Sequence, residues 1–480
     1  MKLGKLAGGD VSGADLEITG LAADSRDVGP GFLFAALRGV KSDGRDFIPD
    51  ALARGAVAVL AEPGLPDDLA APVIADPNPR RRLAEMAGTF YPRQPKTVVA
   101  VTGTNGKSST VDFLRQIWSA AGFKSAAIGT LGVTTDEGRT PLAHTTPDPV
   151  AIHAALDRLA RAKITHVALE ASSHGLAQHR LDAVKIRGAA FTNLTQDHFD
   201  YHADFEDYFA AKMRLFSELA APGCPVAINP DGEWGARVVE AAKAAGLDVR
   251  TFGWSGEALK LVELWPRAAS QRLEVKLAGR DMRIELPLAG EFQALNALGA
   301  ATLAIATGVA PEVALGALTK LTGVPGRLEL AAETREGAPI FIDYAHTPDG
   351  LDKLLRAVRP HTRGRIILVF GCGGDRDPKK RAPMGEIAEK LADVVFVTDD
   401  NPRSEDPAQI RAAILAGAKK SVEIGDRAEA IGVAAAMLRS DDTLVIAGKG
   451  HETGQIVGDR VLAFSDVEEA RKAAAALTGA

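Results

Sequence analysis

The chain has 480 residues, of which 46% are hydrophobic and 25% charged, with a formal net charge of −6. That balance fits a globular protein of roughly two to four domains and excludes a global basic field for nucleic acid. Two cysteines, Cys224 and Cys372, cannot form a disulfide framework, no apolar run reaches the ~18 residues of a membrane span, and the opening MKLGKLAGGDVSG has no signal-peptide core. The expectation is a cytoplasmic monomer that holds any anion with local groups.

Up to about residue 95 the sequence reads as short strands and helices. FLFAALRG (32–39) is a strand with a glycine stop. FIPDALARGAVAVLAE (47–62) reads as a helix, Gly55 and a strand, and APVIADPNPRRRLAEMAGTF (71–90) as a strand, a proline-bearing turn and a helix. YPRQPK (91–96) has two prolines and no apolar period, which marks a linker. Next come strand TVVAVT, helix SSTVDFLRQIWSAAG, one continuous strand KSAAIGTLG, strands THVALEA, GAAFTNL and PVAINPDG, hairpin RLEVKLAGRDMRIELPL and helix EFQALNALGAATLAIATG. After GVPGRLEL the alternation resumes with PIFIDYA, RIILVFGCGG, DVVFVTDD and TLVIAGKG. Strands alternating with helices predict an α/β protein with two largely parallel sheets. The polar clusters DYAHTPD, GCGGDRD, TDDNPRSED and GKGHE fall at strand C-termini, where such sheets bind ligands.

The turn between TVVAVT and its helix contains Gly103, Thr104, Asn105, Gly106, Lys107, Ser108 and Ser109. Glycines let backbone N–H groups close on phosphate oxygens, the helix N-terminus favours an anion, Lys107 adds a charge and Ser108 can ligate Mg²⁺. Val101 stands where the common phosphate-loop pattern has its first glycine. Glu170 ends a buried strand, and NLTQDHFDYH supplies Asp197, His198, Asp200 and His202. Two readings stand: Glu170 and His198 share one Mg²⁺, or the cluster is a salt-bridged cap. In DFEDYFAAKMRLFSELA, Lys212 lies on the stripe of Phe205, Phe209, Phe216 and Leu219. The pattern alone favours an ammonium that snorkels to water. The alternative is a desolvated amine that takes up CO₂ as a carbamate.

GTNGKSS, EASSHGL, TQDHFDYH, KMRLF, GRLE, DYAHTPD and DNPR, in this order, resemble the Mur ligase family over nearly the whole chain. The resemblance implies three domains: an N-terminal UDP-MurNAc-binding domain (1–95), a central phosphate-loop, parallel-sheet ATPase domain (96–328) and a C-terminal Rossmann-like, amino-acid-binding domain (329–480). It implies an ATP-dependent amide ligase that adds meso-2,6-diaminopimelate to UDP-N-acetylmuramoyl-L-alanyl-D-glutamate through an acyl phosphate, in peptidoglycan precursor synthesis. Its cofactors would be ATP and Mg²⁺, with Lys212 carboxylated at N6 as a metal ligand beside Ser108, Glu170 and His198. The UDP-sugar dipeptide would contact Ser25, Val40, Lys41, Ser42, Thr145, Thr146, Ser172, Gln178 and Arg180. Asn296, Arg327, Asp343 and His346 would serve the nucleotide beside residues 103–109. Diaminopimelate would meet Arg376, Asp400, Asn401, Pro402, Arg403, Gly448 and Glu452. Ala23, His144 and Gln293 depart from residues frequent in the family.

Physical chemistry agrees on Arg403, because diaminopimelate differs from lysine by one distal carboxylate and a guanidinium fork binds a carboxylate in two parallel hydrogen bonds. Taken alone, DNPR reads equally well as an Asx-type turn with a surface arginine. With nucleotide and amine motifs on opposite sides of GVPG, domain closure is expected to assemble the site. The rivals are a folylpolyglutamate-synthetase-like ligase, a phosphate-loop kinase or motor, and a nucleotide-binding regulatory module without turnover.

Overall fold

The computed structural model describes residues 1–477 except 10, 40, 41, 67, 143, 196–201 and 203. The chain divides into two compact units, 1–259 with 298–314 and 260–297 with 315–480.

The first unit begins with four parallel strands, Gly20–Ala22, Phe32–Ala35, Ala56–Ala61 and Val73–Ala75, paired in chain order. Their period of two splits the side chains between two cores. Leu33, Ala35, Ala58 and Leu60 face one, while Phe34, Val59 and Ala61 face the other. The helix Pro79–Phe90 starts as its sequence dictates, with Pro79 at its first position and Asn78 accepting from the Arg81 N–H at 3.1 Å. YPRQPK has no regular structure, but it is tethered. Gln94 bonds the Ala183 carbonyl at 3.0 Å and the Lys185 N–H at 2.9 Å.

The rest of that unit is a sheet in the order Asp248–Gly253, Pro225–Ile228, Ile186–Phe191, Thr97–Thr102, His166–Glu170, Ser125–Gly129, with Gly132–Thr135 and Gly138–Thr140 added antiparallel. The phosphate-loop strand is therefore central. Val101 pairs with Glu170 on one side and with Ala190 on the other. Helix Lys107–Ala120 covers the sheet with Val111, Leu114, Ile117 and Trp118, a helical period. Expected as one strand, KSAAIGTLG is two, because the chain reverses at Thr130 and Leu131. The Phe205–Arg214 helix passes into a π turn over Leu215–Leu219.

In the second unit, strands Gln271–Leu277 and Arg280–Leu286 form a tight hairpin with positive φ at Ala278 and Gly279. The larger sheet runs Glu329–Glu333, Pro339–Asp343, Thr443–Ala447, Ile366–Phe370, Val394–Val397, Val422–Glu423, parallel after the first pair. Asp343 pairs with Ala447, Ala447 with Phe370, and Phe370 with Val397. The four polar clusters read from the sequence thus leave the sheet side by side at its C-terminal edge. Cys224 and Cys372 are free and buried, and burial pushes both thiols up to about 11.

Candidate active site

The phosphate loop closes because Gly103 and Gly106 take positive φ, 147° and 84°. A Cβ on Gly103 would strike the Thr192 hydroxyl. The segment after the neighbouring strand locks the loop. Thr104 N donates to Asn193 O at 2.8 Å, Asn105 N to Asn193 Oδ1 at 3.0 Å, and Thr192 Oγ1 to Asn105 O at 2.6 Å. Lys107 Nζ folds onto its own loop, donating to the Gly103 and Thr104 carbonyls at 3.0 and 2.8 Å. Ser109 is buried at the start of the helix.

Glu170 reaches this loop from the adjacent strand end. Its Oε1 accepts from Ser108 Oγ at 2.9 Å and from Thr130 N at 2.8 Å. Gly129 lets it in, since a Cβ there would overlap the carboxylate. Lys212 is 1% exposed. The snorkelling expectation therefore fails: the helix buries the ammonium, which donates to Gly103 O at 2.9 Å and lies 4.3 Å from the centre of the Tyr208 ring. Mg²⁺ takes hydroxyl and carboxylate oxygens together with substrate phosphates, so the Ser108–Glu170 pair at a phosphate loop fits it. His198, Asp197 and Asp200 lie outside the described residues, and among the described ones no three acidic, His or Cys side chains cluster for a metal.

The proposed dipeptide contacts gather on the same edge. Thr145 Oγ1 is 3.1 Å from Thr130 Oγ1, and Thr146 Oγ1 donates to Glu170 O at 2.8 Å while accepting from Ser172 N at 3.0 Å. Arg180 bonds the Thr146 carbonyl and, at 2.8 Å, Gln178 Oε1. Ser172 also caps the short helix that follows, through Gly175 N at 3.1 Å. Nearby, Asn78 Nδ2 lies 3.1 Å from His179 Nε2, tying the N-terminal helix to this loop. Asp182, beside His179 and Arg214, is held below the usual carboxylate range despite its burial. Ser25 is buried at the start of the Ser25–Asp27 turn and Ser42 is exposed; Val40 and Lys41 lie outside the described residues.

In the second unit, Asn296 Nδ2 donates to Gln293 Oε1 at 3.2 Å, and Gln293 Nε2 to Arg327 O at 2.8 Å. Asp343 accepts from Leu328 N and Ala345 N, both at 2.7 Å, which fixes the turn carrying Arg327. Arg327 lies 5.1 Å from the Tyr344 ring centre, and His346 Nδ1 is 2.8 Å from Tyr344 O. The four nucleotide-side candidates of this unit therefore form one cluster.

A second cluster forms at the DNPR loop. Asn401 and Pro402 are buried, and Asn401 Nδ2 donates to Glu452 Oε2 at 2.9 Å. Arg403 has φ 52°, held by its N–H to Ile456 O at 3.0 Å and by Gly458 N to its own carbonyl at 2.7 Å. Its guanidinium is not loose on the surface, because Nη1 donates to Gly374 O at 2.6 Å. Gly448 has φ 116°, and a Cβ there would come within 2.6 Å of Asp400 Oδ2. Burial pushes the Asp400 carboxyl up, against the pull of Arg427 and Lys449. Arg376 is exposed.

Several members escaped the sequence reading. Thr130, Thr192, Asn193 and Tyr208 hold the phosphate loop or Glu170. Lys449 donates to Asn401 of the DNPR loop, and Arg427 of the fully buried pair Arg427–Asp466, at 2.7 Å, donates to the Ala447 carbonyl just before Gly448. Only GKGHE gave a signal, a lysine between two glycines after an apolar strand.

A phosphate loop with a carboxylate from the next strand, followed by a second sheet with a polar C-terminal edge, defines an ATP-binding ligase class, and the chain belongs to the Mur ligase family. Residues 17–91 match the Mur ligase family catalytic domain, 101–304 the Mur ligase middle domain, and 326–450 the Mur ligase glutamate ligase domain. It is 54% identical, over 96% of its length and 95% of the relative's, to UDP-N-acetylmuramoyl-L-alanyl-D-glutamate--2,6-diaminopimelate ligase of Rhizobium meliloti (strain 1021). To the protein of the same name in Brucella melitensis biotype 1 it is 53% identical over 96% of this chain and 95% of the other. A solved structure of a ligase of that name superposes with TM-score 0.76 at 32% identity, covering all of both chains. A folylpolyglutamate-synthetase-like ligase would lack the N-terminal segment, so the match over residues 17–91 argues against that rival.

Proposed function

We propose that this chain joins an amine of meso-2,6-diaminopimelate to the D-Glu side-chain carboxylate of UDP-N-acetylmuramoyl-L-alanyl-D-glutamate, with ATP cleaved to ADP and phosphate, in peptidoglycan precursor synthesis. The observation that carries the reading is the 54% identity, over 96% of the chain, to a ligase of that name. No helix among the described residues is long and apolar enough to cross a membrane. A cytoplasmic monomer made of three domains, 1–95, 96–328 and 329–480, is the matching reading.

A carboxylate is a poor electrophile, so the γ-phosphoryl group is first transferred to it and ADP leaves. The diaminopimelate amine then forms the C–N bond, phosphate departs, and the amine loses a proton. What the protein contributes is alignment and charge screening. Lys107, now on the Gly103 and Thr104 carbonyls, is placed to exchange these for phosphate oxygens. Ser108 and Glu170 would hold Mg²⁺, with His198 and N6-carboxylated Lys212 completing the set; the ion supplies charge neutralisation between phosphate and acceptor carboxylate. Thr145, Thr146, Ser172, Gln178 and Arg180 orient the dipeptide end, and Arg403 reads the distal carboxylate of the amino acid.

Phosphate release from ATP tests the reading. It should require UDP-N-acetylmuramoyl-L-alanyl-D-glutamate and meso-diaminopimelate together, and L-lysine should nearly abolish it. Equal release with either amino acid would reject the selectivity, and release without any amino acid would reject the ligase.

A further inference from the structure

Lys449 has no place in the chemistry above, yet it is completely buried. It follows the apolar strand Thr443–Ala447 and sits between two glycines of positive φ, Gly448 at 116° and Gly450 at 56°. Side chains at those glycines would run into Asp400 and Tyr344, so the backbone has one course and the ammonium one direction. Its acceptors are Asn401 Oδ1 and Glu452 Oε2, each at 3.0 Å. Both belong to the proposed amino-acid pocket. A lysine that merely filled space here would be replaced at no loss by an apolar side chain of similar volume, since burying an ammonium is costly.

The hydrogen bonds are distributed unevenly. Lys449 Nζ and Asn401 Nδ2 converge on the same Glu452 oxygen, Oε2, at 3.0 and 2.9 Å. Asn401 is spent on structure, for its Oδ1 accepts from Lys449 and, at 2.9 Å, from Ile456 N. Glu452 Oε1 takes no hydrogen bond from any described residue, and its side chain keeps 33% of its surface. A carboxylate with one oxygen saturated from below and the other open presents its charge in one fixed direction, which is what a primary ammonium needs.

We propose that Lys449 is a positioning residue of the amino-acid pocket: it fixes Glu452 and Asn401 so that Glu452 Oε1 receives an ammonium group of the incoming amino acid. This rests on the reading of Glu452 as a pocket residue and adds the group that sets its orientation.

The test is a double-mutant cycle in the full chain, with Lys449→Met, Glu452→Gln and both together. Lys449→Met should raise KM for meso-diaminopimelate about tenfold or more, as expected for the loss of hydrogen bonds to a charged group. KM for ATP and for the UDP-linked substrate, and kcat, should stay within about threefold. Lys449→Gln, which keeps a donor but no charge, should fall between. The double variant should be no worse than the worse single one, because the two residues act through one contact. Additive effects, or an unchanged KM for diaminopimelate in folded Lys449→Met, overturn the inference while leaving the pocket intact. Failure of Lys449→Met and Lys449→Gln alike to melt cooperatively assigns the lysine to folding and also overturns it. An unchanged KM in Glu452→Gln removes the pocket reading and this inference with it.

Discussion

Glu170 and Lys212 reach the Gly103–Ser108 turn from two other elements, and the site depends on close approaches at glycines, Gly129 beside the Glu170 carboxylate among them. Gly103 is the sharpest case. At φ 147° an L side chain is strained, and its Cβ would meet the Thr192 hydroxyl. Gly103→Ala should therefore weaken ATP binding at least about tenfold, read by titration with a fluorescent nucleotide, while the larger sheet of the second unit folds normally. Lys212 carries a second expectation. With its amine buried beside Gly103, CO₂ uptake forms an N–C bond and releases a proton, and the product is an anion. Lys212→Ala should lose nearly all activity and recover part of it with added short carboxylates; full activity without rescue would refute the carbamate. Arg403 carries the third. In Arg403→Lys one rigid fork becomes a point charge, so kcat/KM for meso-diaminopimelate should drop about 10- to 100-fold and preference over L-lysine should shrink with it. Competition between the two amino acids in one assay measures that ratio.

At the scale of elements, two helices show what packing adds to pattern. Helix Pro79–Phe90 lies against helix Pro149–Arg161, and a Cβ on Gly88 would come 3.3 Å from the ring of His153. Neither ring nitrogen of His153 has a hydrogen-bond partner among the described residues, and burial pushes its pKa down to about 4. The folded state thus prefers the neutral ring, whereas the unfolded chain protonates near 6.5. Stability from this site is complete above about pH 6.5 and is lost as pH falls toward 4. His166, between Trp118 and Phe123, is likewise pushed down to about 4, chiefly by burial, and acts in the same direction. Thermal melts should show a Tm that drops from pH 7 to pH 5, and His153→Leu should flatten that drop; an identical slope in the variant would exclude His153 as its source. The other helix is Phe205–Arg214. Its stripe was legible, but the pattern does not say how deep a stripe lies, so the snorkel reading of Lys212 failed. Likewise KSAAIGTLG gave no sign of a reversal, because the break at Thr130 answers to Glu170, a residue of a different strand that accepts from the Thr130 N–H at 2.8 Å.

For the molecule as a whole, a net charge of −6 means that anionic ligands must be met by local cations, and the proposed function gives that task to Lys107, Arg180 and Arg403, each now held on a backbone carbonyl. Since one chain contains matches to all three Mur ligase domains, no second copy is called for, and sedimentation should give a species near 50.3 kDa with and without substrates. A dimer that dissociates with loss of activity would overturn this.

The sequence by itself determined the α/β alternation, the phosphate loop and the ordered motifs, because each depends on residues close together along the chain: apolar period, turn chemistry, glycine spacing. Only the tertiary structure decided which distant groups meet. That Glu170 lands on Ser108, that Lys212 is buried on Gly103, and that Lys449 joins Asn401 to Glu452 follow from strand order and register, which bring residues 62, 109 and 48 positions apart within hydrogen-bond reach. Spacing along one strand or helix carries no record of such meetings, since they depend on which strands become neighbours when the sheets form.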